Sequence, residues 1–315
     1  MADNLDINNI HEHLAKKNFI VFAGTGVISG TGIPSTWKEL LITLSRQANV
    51  NINVDNICKN EYPDVAQKIF DELAKNGEEK RYYEIIKELI SAKDSAWDEK
   101  PYEILSTTKG VVTTNFDNIF ETSYERLVEA NSSLPSSIIT NSLPDFEDKD
   151  DFNKHKIVYL HGRANENHII FKKNDYMDYY PSMSAGKSRN PDLCLETYLD
   201  YIYRKHTIVF VGFSFDDEYV RGCFKGIHRR LTGRDERCFE RKTGYIEIIP
   251  RIKHYAFIEE VKPQSNEFKR HKEIEAELEE MRIKVIHFQC KREWMDCFQK
   301  IRKIRKPNKL ENKGE

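Results

Sequence analysis

The 315-residue sequence contains no Cys-x-x-Cys pair. Its six cysteines, Cys58, Cys194, Cys223, Cys238, Cys290 and Cys297, are scattered. That spacing argues against a zinc ribbon, and a disulfide framework does not fit a large cytoplasmic chain. They read as reduced, partly buried thiols. No apolar run is long enough to span a bilayer, and Met1–Asn9 is polar and partly acidic, without the basic start and apolar core of a signal peptide. The expectation is a cytoplasmic protein without a membrane partner. An excess of one charge is missing too: 49 Lys and Arg stand against 51 Asp and Glu, a formal net charge of -2. No global field steers nucleic acid toward such a chain, so direct nucleic-acid binding is not expected. The Lys- and Arg-rich stretch Lys291–Lys313 reads as a solvated helix end, with 306–315 as a basic, flexible tail. Internal repeats, a low-complexity linker and a cluster of metal-binding carboxylates are absent as well.

What is present suits a soluble globular fold: 39% hydrophobic and 32% charged residues are enough for a core and a well-solvated surface. Short runs rich in β-branched and aromatic residues read as buried strands at Asn18–Ala23, Gly110–Thr113, Ser137–Thr140, Lys156–Leu160, Thr207–Val211, His254–Ile258 and Ile283–Phe288. Helical patterns fall between most of them. From Trp37 to Ser106 several helices follow in a row, including Tyr62–Ala74 and Glu79–Ser91. Further helices are expected at Asn118–Glu129, Asp192–Arg204, Asp217–His228, Asn266–Met281 and Glu293–Arg305. Ser142–His155 reads as a surface loop and Thr232–Gly244 as a mobile excursion. The fold class is therefore α/β: a Rossmann-like, mostly parallel sheet with helices on both faces. One domain over 1–310 is expected, with its core at about 15–36, 107–165 and 205–305 and helical insertions at about 37–106 and 172–204.

Four strand ends carry small or polar residues. The first strand runs into Gly24-Thr25-Gly26-Val27-Ile28-Ser29-Gly30-Thr31-Gly32-Ile33-Pro34. Glycines there let the backbone approach a phosphate, and a helix N-terminus behind them adds amide donors. Ser29 stands where the dinucleotide fingerprint has its third glycine, and no Gly-Lys-Ser/Thr makes the loop a P-loop. A plain strand-to-helix link explains this loop equally well. The second end is Thr114-Asn115-Phe116-Asp117, the third His161-Gly162, the fourth Gly212-Phe213-Ser214-Phe215-Asp216-Asp217. Each alone has an ordinary reading: Asn115 as a helix cap, His161 as a satisfied core histidine, Ser214 with Asp216 as an N-cap. Ligands of open α/β sheets bind at the carboxyl ends of strands. Four such ends, in this order, are hard to explain as capping.

The four motifs together resemble the sirtuin family, with its Gly-Ala-Gly-x-Ser-x-x-Ser-Gly-Ile-Pro loop, Thr-Asn-x-Asp segment, catalytic His-Gly and later Gly-x-Ser. Gly24–Pro34, Thr113–Asp117, His161-Gly162 and Gly212–Ser214 carry the likeness, with Ile28 where the family has Ser and Thr31 in place of the second Ser. The two cysteine pairs that hold zinc in sirtuin deacylases are missing; Arg163–Arg204 contains only Cys194. Phe171–Tyr180, with Asp175-Tyr176, and Phe210–Asp217 are similar instead to the prokaryotic sirtuin-like NADase branch, where helices replace the zinc module. That resemblance implies an NAD nucleosidase that releases nicotinamide and ADP-ribose and depletes cellular NAD in anti-phage defence. It implies NAD as substrate and no metal. Asn115 would hold the ribose hydroxyls or a water at the anomeric carbon, Asp117 would shape the nicotinamide pocket or orient Asn115, and His161 would act as base, a task that suits an imidazole titrating near neutral pH. Gly24, Thr25 and Gly26 would face the pyrophosphate and Ser214 the adenosine side, with Ile33, Pro34, Thr114 and Gly212 completing the cofactor contacts; Thr25 or Ser29 would supply the hydroxyl lost at 28. The branch also implies homo-oligomers and a regulatory partner such as a HerA-like ATPase. A protein deacylase, an NAD-sensing module without turnover, and a nuclease-associated or structural subunit are the rival readings.

Overall fold

Six apolar runs, each too short for a helix and flanked by turn residues, pair with a seventh, more polar edge strand into one sheet. The computed structural model describes residues 5–34, 36–54, 57–90, 99–143, 152, 155–163, 166, 168–180, 195–240 and 254–305, with the backbone alone at 233–240. In chain order the elements are α1 (Ile10–Ala15), β1 (Phe19–Ala23), a 3-10 turn (Thr25–Val27), α2 (Trp37–Gln47), α3 (Tyr62–Lys75), α4 (Glu79–Ile90), α5 (Glu99–Thr107), β2 (Gly110–Thr113), α6 (Ile119–Ala130), β3 (Ile139–Ser142), β4 (Lys156–Tyr159), α7 (Lys173–Tyr179), α8 (Leu195–Lys205), β5 (Thr207–Val211), α9 (Glu218–Glu240), β6 (His254–Glu259), α10 (Phe268–Glu280), β7 (Ile283–Phe288) and α11 (Lys291–Arg305).

The strand order is β3-β4-β2-β1-β5-β6-β7, and every pair is parallel. Parallel strands are covered on both faces, which is why β1, β2 and β4 are buried along their whole length. Successive side chains of β1 alternate between two cores. Ile20 and Phe22 join the core built with α8, α9 and α10. Phe19, Val21 and Ala23 join the core built with α1, α5, α6 and α11. The expected Rossmann-like α/β architecture is thus present, and the sheet is wholly rather than mostly parallel. Helices α2, α3 and α4 form a third core of their own, to which Ile28, Ile33, Phe116 and Phe171 contribute from the loops at the strand ends. From β1 the chain first fills one side with β2, the edge strand β3 and then β4 between them, and returns to the other side of β1 with β5. This reversal places a crevice at the carboxyl ends of β2, β1 and β5, where open α/β sheets take their ligands.

Several local readings are corrected. The third strand lies at Ile139–Ser142, two residues later than expected, because Ile139 pairs with Lys156 of β4. Helix α9 runs on to Glu240, so 232–240 is helical rather than a mobile excursion; 241–244 lies outside the described residues, as do 306–315 and most of 142–155. The helix expected from Asp192 begins, among the described residues, at Leu195. Helix α1 was not foreseen: it is six residues long and buries Ile10 and Leu14. Arg305 at the end of α11 donates to its Leu14 and Ala15 carbonyls at 3.1 and 3.2 Å, and Arg302 pairs with Glu103 at 3.2 Å. Part of the basic C-terminal stretch is thereby fastened to the fold. Among the described residues no helix is long and apolar enough to cross a membrane.

Candidate active site

The glycine loop after β1 does not lead straight into a helix. It makes one 3-10 turn, and α2 starts only at Trp37, capped by Thr36, whose hydroxyl accepts the Glu39 amide at 3.2 Å. The helix-terminus donors expected behind the loop are therefore ten residues further on. The Gly24 amide donates to the Val211 carbonyl at 3.0 Å and the Gly26 amide to the Gly212 carbonyl at 2.9 Å. A Cβ on Gly24 would stand 2.4 Å from the Gly212 oxygen, and one on Gly212, whose φ is +63, would stand 2.6 Å from the Val27 nitrogen. Glycine is required here because two backbones, after β1 and after β5, touch each other. Ser214 is exposed beyond this contact, and its Oγ accepts the Asp216 amide at 3.3 Å. The cap of α9 is Asp217, whose Oδ1 accepts the Tyr219 and Val220 amides at 3.0 and 3.1 Å.

At the end of β2, Thr113 is buried and donates from Oγ1 to the Ala23 carbonyl at 3.0 Å; the same oxygen accepts the Asn115 amide at 3.1 Å. This fixes Asn115 against β1. Its Nδ2 donates weakly to the Gly24 carbonyl at 3.4 Å, and its Oδ1, in a residue 1% exposed, has no hydrogen-bond partner among the described residues. Buried polar atoms are rarely left so, and such an orphan calls for an explanation. Asp117, also buried, accepts the Ile119 amide at 3.1 Å and so turns the chain into α6. Burial pushes its carboxyl up to about 7. Thr25, Ile33, Pro34, Thr114, Asn115 and Asp117 line one cavity, walled by Trp37 and Leu40 of α2 and Ile90 of α4. Its interior is about 20 Å³, room for one water.

His161 lies two residues past the end of β4 and is 1% exposed. Its Nε2 shares a hydrogen bond with the Tyr180 hydroxyl at 2.8 Å, and Tyr176 and Tyr180 meet the ring edge-on at 5.4 and 5.9 Å. Tyr176 also packs at 4.4 Å on Tyr219 and donates to Asp217 at 3.3 Å. Burial pushes the imidazole down to about 3 and the Asp217 carboxyl up to about 6. The expectation of a near-neutral imidazole is thus corrected: the aromatic surroundings exclude the water that would stabilise its charge. His161 does not line the small cavity. Trp37 connects the two halves: it lines the cavity and meets Phe171 at 4.9 Å and Tyr176 at 6.0 Å.

Six of the eleven residues singled out in the sequence therefore share one cavity, while Gly24, Gly26 and Gly212 form the backbone contact beside it and His161 and Ser214 stand apart. Sequence reasoning missed Trp37, Tyr176 and Tyr180. The Phe171–Tyr180 segment was noted for its likeness to a family branch, and its two tyrosines four apart were the available signal. Among the described residues no group of three or more His, Cys, Asp or Glu could hold a metal ion.

A family model described as a SIR2-like domain matches residues 109–286, more than half of the chain. The matched region runs from β2 to β7 and takes in Asn115, Asp117, His161, Gly212 and Ser214; the glycine loop after β1 lies before it. No curated protein matches the chain.

Proposed function

The chain belongs to the SIR2-like family, whose members are NAD-using enzymes, and on that premise we propose that it is an NAD glycohydrolase. The observation that carries the reading is the orphaned Oδ1 of Asn115, buried beside the Asp117 carboxyl at the point where the strand order reverses. A buried amide oxygen without a partner is completed by a ligand hydroxyl or by a water.

In the reaction the bond between the ribose C1′ and the nicotinamide nitrogen breaks. Its electron pair leaves with nicotinamide, which becomes neutral, and an oxocarbenium-like sugar remains. Asn115 orients a ribose hydroxyl or the attacking water. Asp117, poised between its two protonation states near neutral pH, can bind the carboxamide of the leaving ring as donor or acceptor. Water adds its oxygen to C1′ and gives up a proton, for which His161 is the base only once a bound ligand replaces its apolar surroundings, because burial holds the imidazole neutral down to about 3. Gly24, Thr25 and Gly26 bring the backbone close to the diphosphate, Ile33, Pro34 and Thr114 flank the nicotinamide side, and Gly212 and Ser214 the adenosine side. No step uses a metal, so a chelator leaves the rate unchanged.

Water rather than acyl-lysine is the acceptor. Support comes from α7 and α8, which stand between β4 and β5 where sirtuin deacylases carry zinc-binding cysteines. The chain works as one sirtuin-like domain with helical insertions, as the effector of an anti-phage system that depletes NAD. Its control comes from homo-oligomerisation and a partner of the HerA-like ATPase kind. The likeness of Phe171–Tyr180 and Phe210–Asp217 to the NADase branch supports this, as does a cavity far below the roughly 300–1,000 Å³ of a ligand cleft.

The test is nicotinamide release from NAD by the purified protein, alone and with candidate partners, beside an acetyl-lysine peptide assay. Release without any need for peptide is expected. Asn115→Ala and His161→Ala variants that release nicotinamide as fast as the parent chain would refute the mechanism; binding of NAD without release would make the protein a sensor.

A further inference from the structure

We propose that the Asp216 carboxylate is a resident stand-in for the diphosphate of the ligand: it holds Lys59 at the rim of the crevice, and the diphosphate takes its place on binding. The inference rests on the crevice being a dinucleotide site and needs no turnover.

A diphosphate is doubly negative, and the glycine loop has little to offer it. The Gly24 and Gly26 amides are engaged by the Val211 and Gly212 carbonyls, and those of Val27, Ile28 and Thr31 by carbonyls of the loop itself. Helix α2 begins only at Trp37, so no helix terminus stands directly behind the glycines. Among the described residues that line the cavity there is no Lys or Arg. Positive charge for the ligand therefore has to come from the rim.

An ion pair crosses the crevice there. Lys59 begins the 3-10 turn Lys59–Glu61 ahead of α3, close to Tyr62, whose ring stacks at 6.2 Å on the cavity-lining Trp37. Its Nζ donates to Asp216 at 2.9 Å and meets Glu267 at 3.4 Å. Asp216 belongs to the opposite side, the loop after β5, where its amide donates to the Ser214 hydroxyl at 3.3 Å. The preceding Phe215 is fully buried and takes φ +59, a conformation that bulky side chains rarely adopt. Strain of this kind persists at ligand clamps and switch segments. Arg270 of α10 approaches the other oxygen of the same carboxylate at 3.9 Å and Glu218 at 3.5 Å. At rest the two cations thus face three carboxylates, Asp216, Glu218 and Glu267, and the excess negative charge repels a phosphate. A ligand has to exchange one anion for another. Lys59 suits that exchange: it is 49% exposed, and an ammonium on a flexible stem pairs with phosphate as well as with carboxylate.

The experiment is calorimetric titration of the full chain with ADP-ribose, which carries the diphosphate but no nicotinamide. At low salt Lys59→Ala is expected to weaken binding about 3- to 10-fold, and Lys59→Arg to restore most of it. Asp216→Asn removes the competing charge and keeps the backbone bond to Ser214; it is expected to tighten binding about 2- to 5-fold. Lys75 pairs with Glu72 within α3, so Lys75→Ala makes the same change of net charge away from the rim and should bind as the parent chain does. Tighter binding by Lys59→Ala overturns the proposal, since the pair would then only bar the crevice. Unchanged binding by Lys59→Ala, equal or weaker binding by Asp216→Asn, or an equal loss in Lys75→Ala overturns it too. A parent chain that binds no ADP-ribose does the same. Nicotinamide release from NAD, measured beside the titration, decides the hydrolysis reading separately: if binding follows Lys59 but NAD is not cleaved, hydrolysis falls and the exchange stands.

Discussion

The ends of β2 and β4 hold the two groups of greatest chemical interest, and they are built in opposite ways. At β2 an amide and a carboxyl share a water-sized cavity, and one buried oxygen is left without a partner among the described residues. At β4 an imidazole is enclosed by tyrosines, with Nε2 in a good hydrogen bond. Burial acts on both, yet it favours the neutral form of an acid in one and of a base in the other, so Asp117 moves up and His161 moves down. Unsatisfied polarity points to a place kept for something else, and satisfied polarity to a part held in readiness.

The widest separation is expected from truncating each group. Asn115→Ala should lower nicotinamide release by about 100-fold or more. It should leave the thermal midpoint within a few degrees, because among the described residues the lost side chain contributes one long hydrogen bond and an orphan. His161→Ala should lose comparable activity and also about 1–3 kcal/mol of stability, since it opens a cavity in a buried aromatic cluster. Thermal unfolding beside the nicotinamide assay checks both; equal destabilisation by the two would erase the contrast.

Their pH dependences should oppose each other. Asp117 has a folded value raised from 3.8 to about 7, so its contribution is full below pH 3.8 and is lost as pH rises through 7. His161 has a folded value lowered from 6.5 to about 3, so its contribution is full above pH 6.5 and is lost as pH falls toward 3. Each slope is at most about 1.4 kcal/mol per pH unit, and between pH 4 and 6.5 they offset. Asp117→Asn should therefore make stability rise more steeply with pH than in the parent chain, and His161→Phe should make it rise less. Urea midpoints measured across pH 4–8 decide, and the same change in both variants would contradict the assignment.

Smaller effects belong to the frame around the two halves. Gly24→Ala sets a Cβ against the Gly212 carbonyl and should cost about 1–3 kcal/mol. Gly30→Ala meets open space at φ +97 and should cost about 1 kcal/mol from backbone strain alone; calorimetry separates them. Lys59→Ala removes pairs with Asp216 at 2.9 Å and Glu267 at 3.4 Å. At half exposure these are worth less than about 1 kcal/mol, and the difference should fade in high salt.

The sheet was legible in the sequence because buried parallel strands write themselves as apolar runs: Gly110–Thr113, Thr207–Val211 and Ile283–Phe288 fall where the runs fall. The third strand was misplaced because it is half exposed and its second half is Asn141 and Ser142, polar residues that carry no strand pattern, so the expected strand stopped at Thr140 and the loop was read from Ser142. The end of α9 was missed because Thr232, Gly233 and Asp235 break the apolar pattern without breaking the helix. The cavity residues were legible because β2 and the glycine loop each carry theirs within a few positions. Contacts between distant segments left no local trace. Gly24 needs glycine because of Gly212, and Tyr176 finds Asp217 across 41 positions.

A water-sized cavity also sets the arithmetic of affinity. If NAD binds only when Trp37 and its helix stand back, the measured dissociation constant is the intrinsic one divided by the open fraction. One open molecule in a hundred would weaken apparent binding about 100-fold with every contact residue in place. Whatever holds α2 back could then restore up to that factor without touching Asn115 or His161, and a mutation that shortens Trp37 could do the same.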